Sequence, residues 1–293
     1  ESLSYAYLAA SLLALIIVLV FFHWKVYSLK PKLDISVWRK YAVMSWPLAL
    51  GGVFVTLYGQ IDSVMMGYLN QITETGWYNA AYRLAGAAFI PMGLISTSFY
   101  PVFSRIMKER TENFQHAWDN FGGIIIVFSL PVVIGGIVLA PRIIEFFYGE
   151  GYASSVLAFQ LLIGATGIVL LHNPFIQALL VCNQQKKLLW GPIFGAITNI
   201  SLNVALIPRY SLYGAAVATI VSALVVLLMF AVLTAKFTPV KISNLKLFSF
   251  GLLAALSAWV MYAVVSSPYL FGLHILLLVL VGALAYFAVF FAL

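Results

Sequence analysis

Nine long apolar stretches, joined by short loops, are the feature that most constrains how this chain can fold. Each stretch is near or above the roughly 20 residues that a helix needs to cross the hydrocarbon core of a bilayer. The pattern therefore predicts a chain that passes back and forth through a membrane. The stretches cover residues 3–24, 42–69, 78–104, 121–140, 155–182, 189–207, 214–235, 248–265 and 272–293.

The spanning segments are predicted to be helices rather than strands. In lipid, only helices and closed barrels satisfy every backbone hydrogen bond. Barrel strands would be about 10 residues long and would alternate apolar with polar side chains, whereas segments such as 217–232 and 273–292 are apolar without alternation. The predicted fold class is therefore all-α, a polytopic transmembrane helical bundle with nine spans.

The distribution of basic residues among the loops predicts the orientation of the chain. Short loops rich in Lys and Arg stay on the cytoplasmic side, and the loops after stretches one, three, five and seven hold thirteen of the 16 basic residues. We therefore expect Glu1 on the outer side and Leu293 in the cytoplasm. The basic residues of these loops are Lys25, Lys30, Lys32, Arg39, Lys40, Arg105, Lys108, Arg110, Lys186, Lys187, Lys236, Lys241 and Lys246.

The composition excludes several classes of protein. The chain is 63% hydrophobic and only 9% charged, which is too little charge for the surface of a soluble domain. Its net charge of +7 lies mainly in bilayer-flanking loops, so contacts with anionic membrane lipids explain it better than nucleic acid does. The single Cys182 offers neither a disulfide nor a metal site. Within the predicted spans Asp62 is the only carboxylate, so the acid–base pair of an enzyme is missing and no cofactor is expected.

Two charged residues inside the predicted spans are the first candidates for a functional site. Asp62 lies seven residues before the end of the second stretch, and Arg83 lies six residues after Trp77, where we expect the third helix to begin. At ~1.5 Å per residue the two would lie at similar depths, so we expect an Asp62–Arg83 ion pair. The pair either pins two helices together or presents Arg83 to an anionic substrate, because a guanidinium binds phosphate oxygens well.

Uncharged polar residues within the spans form a second group of candidates. His172, Asn173 and Gln177 lie in the fifth stretch, and Asn199 and Asn203 share one face of the sixth because they are four residues apart. Amides and an imidazole suit the hydroxyl groups of a sugar. They suit hydrogen bonds between helices equally well, and the sequence leaves both roles open.

Two further patterns predict local structure. Asp34 is expected to cap a short interfacial helix over residues 34–41. Gly191 and Gly195 form a G-x-x-x-G pair, which permits a second helix to approach closely.

A combination of short segments resembles a known family. The segments are 61–67, 76–84 (GWYNAAYRL), 100–104 (YPVFS), 199–203 (NISLN), 207–208 and 214–219 (GAAVAT). Together they resemble the polysaccharide (O-antigen, Wzx-type) flippases of the MATE-related multidrug/oligosaccharidyl-lipid/polysaccharide exporter superfamily, over about residues 33–235. Ser211 departs from the pattern, because this family often has Gly there, in an exterior turn.

The resemblance implies a two-lobed transporter with 12–14 helices, of which these nine spans would be the sixth to the fourteenth. The chain would then be a C-terminal fragment. Residues 1–24 would form the last helix of the first lobe, 25–41 a cytoplasmic interlobe linker with the interfacial helix, 42–235 a second lobe of six helices, and 236–293 two extra helices. Related lipid II flippases carry a cavity arginine in the eighth helix, on which Arg83 falls here.

The residues and the resemblance together predict a transporter rather than an enzyme. The expected substrate is an undecaprenyl-pyrophosphate-linked oligosaccharide, moved from the inner to the outer leaflet of a bacterial inner membrane for polysaccharide biosynthesis. Its predicted contacts are the seven polar residues named above, and glycan polymerase and glycosyltransferase machinery are possible partners. A lipid II flippase, a cation-coupled multidrug exporter and a membrane enzyme of glycan assembly are the alternatives.

Overall fold

The computed structural model describes residues 2–25, 34–109, 113–242, 245–270 and 272–293. Within these ranges the chain is helical and contains no strand. Lys30, Lys32 and Arg110, which contribute to the loop-charge argument, lie outside the described residues, as do residues 26–33 of the predicted linker.

Eleven α-helices occur in the described part of the chain, and two of its turns are 3₁₀-helical, at Glu150–Tyr152 and Pro268–Leu270. The helices are α1 (Ser2–Lys25), α2 (Ile35–Tyr68), α3 (Ile72–Gly86), α4 (Phe89–Glu109), α5 (Phe114–Tyr148), α6 (Ser155–Leu170), α7 (Asn173–Val181), α8 (Gln185–Leu188), α9 (Trp190–Phe237), α10 (Leu245–Val265) and α11 (Ile275–Ala292).

The predicted all-α class is confirmed, and the chain is a multi-pass membrane protein. Seven segments of the described chain are long and apolar enough to cross a bilayer. One of them, Gln185–Phe237, contains two of the nine predicted stretches, and the predicted stretch 42–69 falls on α2. Two other predicted stretches are each divided, into α3 and α4 and into α6 and α7, by short turns at 87–88 and 171–172.

The chain divides into two compact units, Glu1–Pro47 and Leu48–Leu293. In the first unit, Asp34 Oδ1 accepts hydrogen bonds from the backbone N–H groups of Ser36, at 2.9 Å, and Val37, at 3.4 Å. These bonds and a further one from the Ser36 hydroxyl hold the pKa of Asp34 below its usual value. The predicted cap is therefore confirmed, but the helix that it starts runs unbroken to Tyr68 instead of ending near residue 41.

The second unit contains the core that positions the polar residues. Helices α3, α5, α6 and α9 pack around one buried cluster, which includes Tyr78, Ile144, Leu162 and Leu212. Helices α10 and α11 pack on α5, where the Tyr286 hydroxyl donates to the backbone carbonyl of Val127 over 2.9 Å. The two helices at the C-terminus therefore belong to the same compact unit as α3–α9.

Helix α9 folds back on itself, and its two halves approach closely at glycines. A Cβ added to Gly191 would lie 2.6 Å from Phe230 Cε1, and one added to Gly195 would lie 2.8 Å from Val226 Cγ2. These distances are shorter than real Cβ contacts, so larger residues would force the two halves apart. The close packing expected from the G-x-x-x-G pair is confirmed.

The fold-back of α9 turns at Ser211. This residue has φ 50° and ψ −131°, a non-helical conformation inside the helix. A positive φ is costly for a residue with a Cβ, which explains why a glycine is expected at this turn. The Ser211 hydroxyl donates to Gln71 Oε1 over 2.8 Å and so ties the turn to the start of α3.

Candidate functional site

Asp62 lies at the centre of a buried hydrogen-bond network. The residue is only 2% exposed, although α2 also has an exposed face. Its Oδ2 accepts hydrogen bonds from the Tyr78 hydroxyl and, at 3.0 Å, from Thr219 Oγ1. Its Oδ1 accepts a hydrogen bond of 2.5 Å from Asn203 Nδ2, which also donates to Asn199 Oδ1 at 2.9 Å. We call Asp62, Tyr78, Asn199, Asn203 and Thr219 the Asp62 network.

Three helices bring this network together. Tyr78 comes from the buried face of α3, which follows α2 after a turn in which Asn70 has a φ of 58°. Asn199 and Asn203 lie one turn apart on the first half of α9, and Thr219 lies on the second half. Because α9 folds back at Ser211, Asn203 and Thr219 both donate to the same carboxylate, and Asn199 is joined to it through Asn203.

The predicted Asp62–Arg83 ion pair is wrong. The carboxylate is occupied by neutral donors, whereas Arg83 lies on the exposed face of α3, and no ion pair joins the two in the described structure. Arg83 follows Tyr78 by five residues, which places it about 140° around the helix and ~7.5 Å further along it. The error arose because α3 begins at Ile72 rather than at Trp77.

The Asp62 network has more hydrogen-bonding capacity than its own members use. A charge at the centre of a membrane helix costs about 2.5–3.5 kcal/mol on insertion scales, and hydrogen bonds to the carboxylate offset part of that cost. Yet two atoms of the network, Asn199 Nδ2 and Asn203 Oδ1, are buried without a hydrogen-bond partner. The hydroxyl of Tyr58, which lies one turn before Asp62 on α2, is also buried without a hydrogen-bond partner.

The chemistry of the network suits a proton or a small cation. Its acceptor atoms are oxygens of a carboxylate, amides and a hydroxyl, which are ligands for hard cations rather than for transition metals. In the described ranges no group of three or more His, Cys, Asp or Glu residues could hold a metal ion. A buried carboxylate with only neutral partners is also a group that can take up a proton.

Arg83 belongs to a second set of polar residues, which lies on the surface. Gln60 and Arg83 are exposed, and Ser63 and Asn79 are half-buried. The Ser63 hydroxyl donates to Asn79 Oδ1 over 3.0 Å and so joins α2 to α3. We call Gln60, Ser63, Asn79 and Arg83 the polar face. Such a surface within membrane-spanning helices is expected to line a water-filled cavity rather than to contact lipid.

The remaining predicted site residues are separate from both sets and hold broken helices together. His172 is buried, with Nε2 3.0 Å from the carbonyl oxygen of Ala223. Ser96 of α4 donates to Asn173 Oδ1 over 3.0 Å, and Gln177 Nε2 donates to the Ser96 carbonyl oxygen over 3.2 Å. These contacts surround the turn between α6 and α7, and a role for the three residues in substrate binding stays a prediction.

Sequence reasoning missed Tyr78, Thr219, Ser63 and Asn79. A signal for Tyr78 was present, because Asp62 and Tyr78 are equally far, in sequence, from the turn residue Asn70. Antiparallel helices joined by a tight turn bring such positions to the same level.

Comparison with known proteins supports the resemblance seen in the sequence. The sequence profile of a family described as "Polysaccharide biosynthesis protein" matches residues 1–157, more than half of the chain. The chain belongs to this polysaccharide biosynthesis family. This match supports the likeness to polysaccharide exporters over residues 1–157, whereas the segments 199–203, 207–208 and 214–219 lie beyond it.

Two curated relatives come from the archaeon Haloferax volcanii. The chain is 24% identical over 169 residues to the probable flippase AglR, covering 56% of this chain and 35% of that protein. It is 23% identical over 186 residues to the probable low-salt glycan biosynthesis flippase Agl15, covering 63% of this chain and 38% of that protein. The chain thus matches little more than a third of the length of either relative.

Solved structures of three transporters share the fold of this chain. The lipid II flippase MurJ in an inward closed conformation matches this chain with a TM-score of 0.63 and 18% identity. The match covers 90% of this chain and 56% of the MurJ chain. A transporter of the MOP superfamily from Pyrococcus furiosus matches 75% of this chain and 52% of its own, with a TM-score of 0.54 and 17% identity. A MATE family multidrug transporter matches 84% of this chain and 62% of its own, with a TM-score of 0.53 and 17% identity. At these identities the likeness establishes the fold alone.

Proposed function

We propose that this chain is part of a flippase that moves a lipid-linked oligosaccharide across a membrane for glycan biosynthesis. The observation that carries the proposal is the exposed Arg83 on the polar face of α2 and α3, within membrane-spanning helices. Membership of the polysaccharide biosynthesis family and similarity to two probable flippases support it. The protein would be a transporter rather than an enzyme.

The physical problem that such a protein solves is the passage of the polar headgroup. Each sugar hydroxyl that crosses hydrocarbon without a partner costs several kcal/mol, and each phosphate costs far more. A polar surface inside the membrane lowers this barrier, while the lipid tail stays in the bilayer. Arg83 would bind the phosphate of the headgroup, because its planar guanidinium pairs with two phosphate oxygens at once.

The carrier lipid, the direction and the membrane are finer parts of the proposal. The sequence predicts an undecaprenyl-pyrophosphate carrier, movement from the inner to the outer leaflet, and a bacterial inner membrane with Glu1 outside and Leu293 in the cytoplasm. The curated relatives are archaeal, so a different polyprenyl carrier fits the same chemistry. Accessibility labelling of single cysteines placed in the basic and in the opposite loops tests the orientation.

We infer a second role, in energy coupling, for the Asp62 network. The Asp62 carboxylate, together with the buried acceptor Asn203 Oδ1 that has no hydrogen-bond partner, favours a site that accepts a proton or a monovalent cation during transport. Asp62→Asn removes the charge but keeps the shape of the side chain. In the full-length protein we expect this variant to insert normally and to lose the dependence of flipping on an imposed cation or proton gradient. Unchanged gradient dependence would contradict the coupling role.

Substitution of Arg83 tests the main proposal. A strain that lacks its own flippase is supplied with the full-length protein, and polysaccharide export is measured together with the amount of protein in the membrane. Arg83→Ala should abolish export, and Arg83→Lys should retain part of it, because the charge remains without the bidentate geometry. Arg209→Ala is the matched control, since Arg209 is an exposed arginine at the fold-back of α9, away from the polar face. Normal export by Arg83→Ala would refute the proposal.

The rival functions predict different outcomes. A cation-coupled multidrug exporter would restore drug resistance but not polysaccharide export. A membrane enzyme of glycan assembly would change the lipid-linked glycan chemically instead of moving it intact between leaflets. Analysis of the glycan recovered from each leaflet distinguishes these cases.

A further inference from the structure

Helices α2 and α3 are joined by hydrogen bonds at two successive residues on each helix, and these bonds lie on different sides. Asp62 accepts from Tyr78 on the buried side. The next residues, Ser63 and Asn79, are half-buried and form their own hydrogen bond at the edge of the polar face. The buried bond belongs to the Asp62 network, whereas the outer bond has no part in it.

The Ser63 bond fixes which end of the Asn79 amide is available. The Ser63 hydroxyl donates to Asn79 Oδ1 over 3.0 Å, so the carbonyl end of the amide is directed to α2. The Nδ2 group then lies at the opposite end, with two N–H donors that bond to no atom in the described part of the chain. Because only the carbonyl end is held, the side chain presents donors rather than acceptors.

Arg83 is one helical turn beyond Asn79 on the same side of α3. Residues four apart on a helix have their Cβ atoms about 5–6 Å apart. An amide N–H₂ group and a guanidinium at this spacing form a surface that consists of hydrogen-bond donors only. The oxygens of an ionised phosphate only accept hydrogen bonds, so they match this surface, whereas a sugar hydroxyl would match a mixed one.

We propose that Asn79 and Arg83 together bind the phosphate group of the transported lipid, and that Ser63 is a positioning residue for the Asn79 amide. This inference rests on the proposed flippase function and adds a second binding residue to it. A diphosphate and a monophosphate headgroup share the required chemistry. A diphosphate has more oxygens than one guanidinium can bind, so it would use Asn79 and Arg83 at once, whereas a monophosphate would depend mainly on Arg83.

The experiment uses the full-length protein in proteoliposomes, with a polyprenyl-diphosphate-linked sugar and the corresponding monophosphate lipid as probes. Asn79→Asp keeps the shape of the side chain and can still accept from Ser63, but it replaces the donors with a negative charge. We expect it to raise the KM for the diphosphate lipid by roughly 10- to 100-fold, the effect of losing a hydrogen bond to a charged group. Gln60→Glu is the comparison variant, because it adds the same charge to an exposed residue of the polar face and so measures the effect of charge alone.

Ser63 provides a test of positioning that does not alter Asn79 itself. Ser63→Ala releases the amide and should raise KM by roughly 3- to 10-fold with little change in kcat, the loss expected when one neutral hydrogen bond no longer holds the donor in place. Ser63→Thr keeps a hydroxyl and should restore the native KM. A purely structural role would instead lower the amount of folded protein and would leave KM unchanged.

The outcomes separate the inference from the function on which it rests. If Arg83→Ala abolishes flipping but Asn79→Asp behaves like Gln60→Glu, the inference is overturned and the flippase proposal stands. If both Arg83→Ala and Asn79→Asp flip lipid at the native rate, both fail. If Asn79→Asp does not reach the membrane, the KM values of Ser63→Ala and Ser63→Thr test the inference instead. Equal KM values for these two variants would also overturn it. A larger KM effect on the diphosphate lipid than on the monophosphate lipid identifies the diphosphate as the ligand.

Discussion

The backbone at Ser211 stores strain that can be measured. Its φ of 50° and ψ of −131° lie in a region that costs a residue with a Cβ of order 1–3 kcal/mol. Its hydroxyl makes one hydrogen bond, of 2.8 Å, to Gln71, which is worth about 1 kcal/mol. The native serine thus combines a favourable side-chain contact with an unfavourable backbone conformation, and two substitutions separate these effects.

Ser211→Ala loses the hydrogen bond and keeps the strain. Ser211→Gly loses the same hydrogen bond and releases the strain, while glycine in the unfolded chain gains about 0.5–1 kcal/mol of conformational entropy. We therefore expect the glycine variant to be the more stable of the two by about 1 kcal/mol. At Ser201, which is exposed in a regular part of α9, the order should reverse, and alanine should be more stable than glycine by about 1 kcal/mol.

The measurement is the free energy of unfolding of the purified full-length protein, from titration of mixed micelles with a denaturing detergent. The free energy of unfolding of the glycine variant minus that of the alanine variant is obtained at position 211 and compared with the same difference at position 201. The two differences should have opposite signs and should differ by about 2 kcal/mol, which is the strain at Ser211. If glycine is less stable than alanine by the same amount at both positions, the turn is not strained and the reasoning is refuted.

The helical architecture could be predicted from the sequence because it depends on composition within single segments. A run of about 20 apolar residues determines a membrane-spanning helix wherever it occurs, and all nine predicted runs are helical. Local conformational signals were equally informative. Asp34 caps α2, and Ser211 lies at a turn with a positive φ, the position at which the family resemblance expects glycine.

The candidate site could be predicted only in part, because it depends on register between segments. The spacing of Asn199 and Asn203 places both on one face of a helix, and they are hydrogen-bonded to each other. Their connection to Asp62 requires the fold-back of α9 and the start of α3, which no periodicity within one segment reveals. The polar residues Thr73, Glu74 and Thr75 conceal the first turn of α3. Counting from Trp77 therefore placed Arg83 at the wrong level.

Two further predictions test the packing of α9 and the separation of the two charged residues. Gly191→Ala should lower the melting temperature of the purified protein, because the new Cβ would lie 2.6 Å from Phe230 Cε1 and overpacking costs about 1–3 kcal/mol. Gly164→Ala, which would meet no atom within 4 Å, should leave the melting temperature unchanged or raised, and equal losses would contradict the close packing. Asp62→Asn and Arg83→Gln should each lower flipping activity, and each loss can be expressed as a free energy. In the double variant the two free energies should add to within about 0.5 kcal/mol. Additivity is expected because the two side chains lie on different faces of the α2–α3 pair and share no partner. Rescue of Asp62→Asn by Arg83→Gln would show that the two charges interact after all, and would contradict the division between a buried network and an exposed polar face.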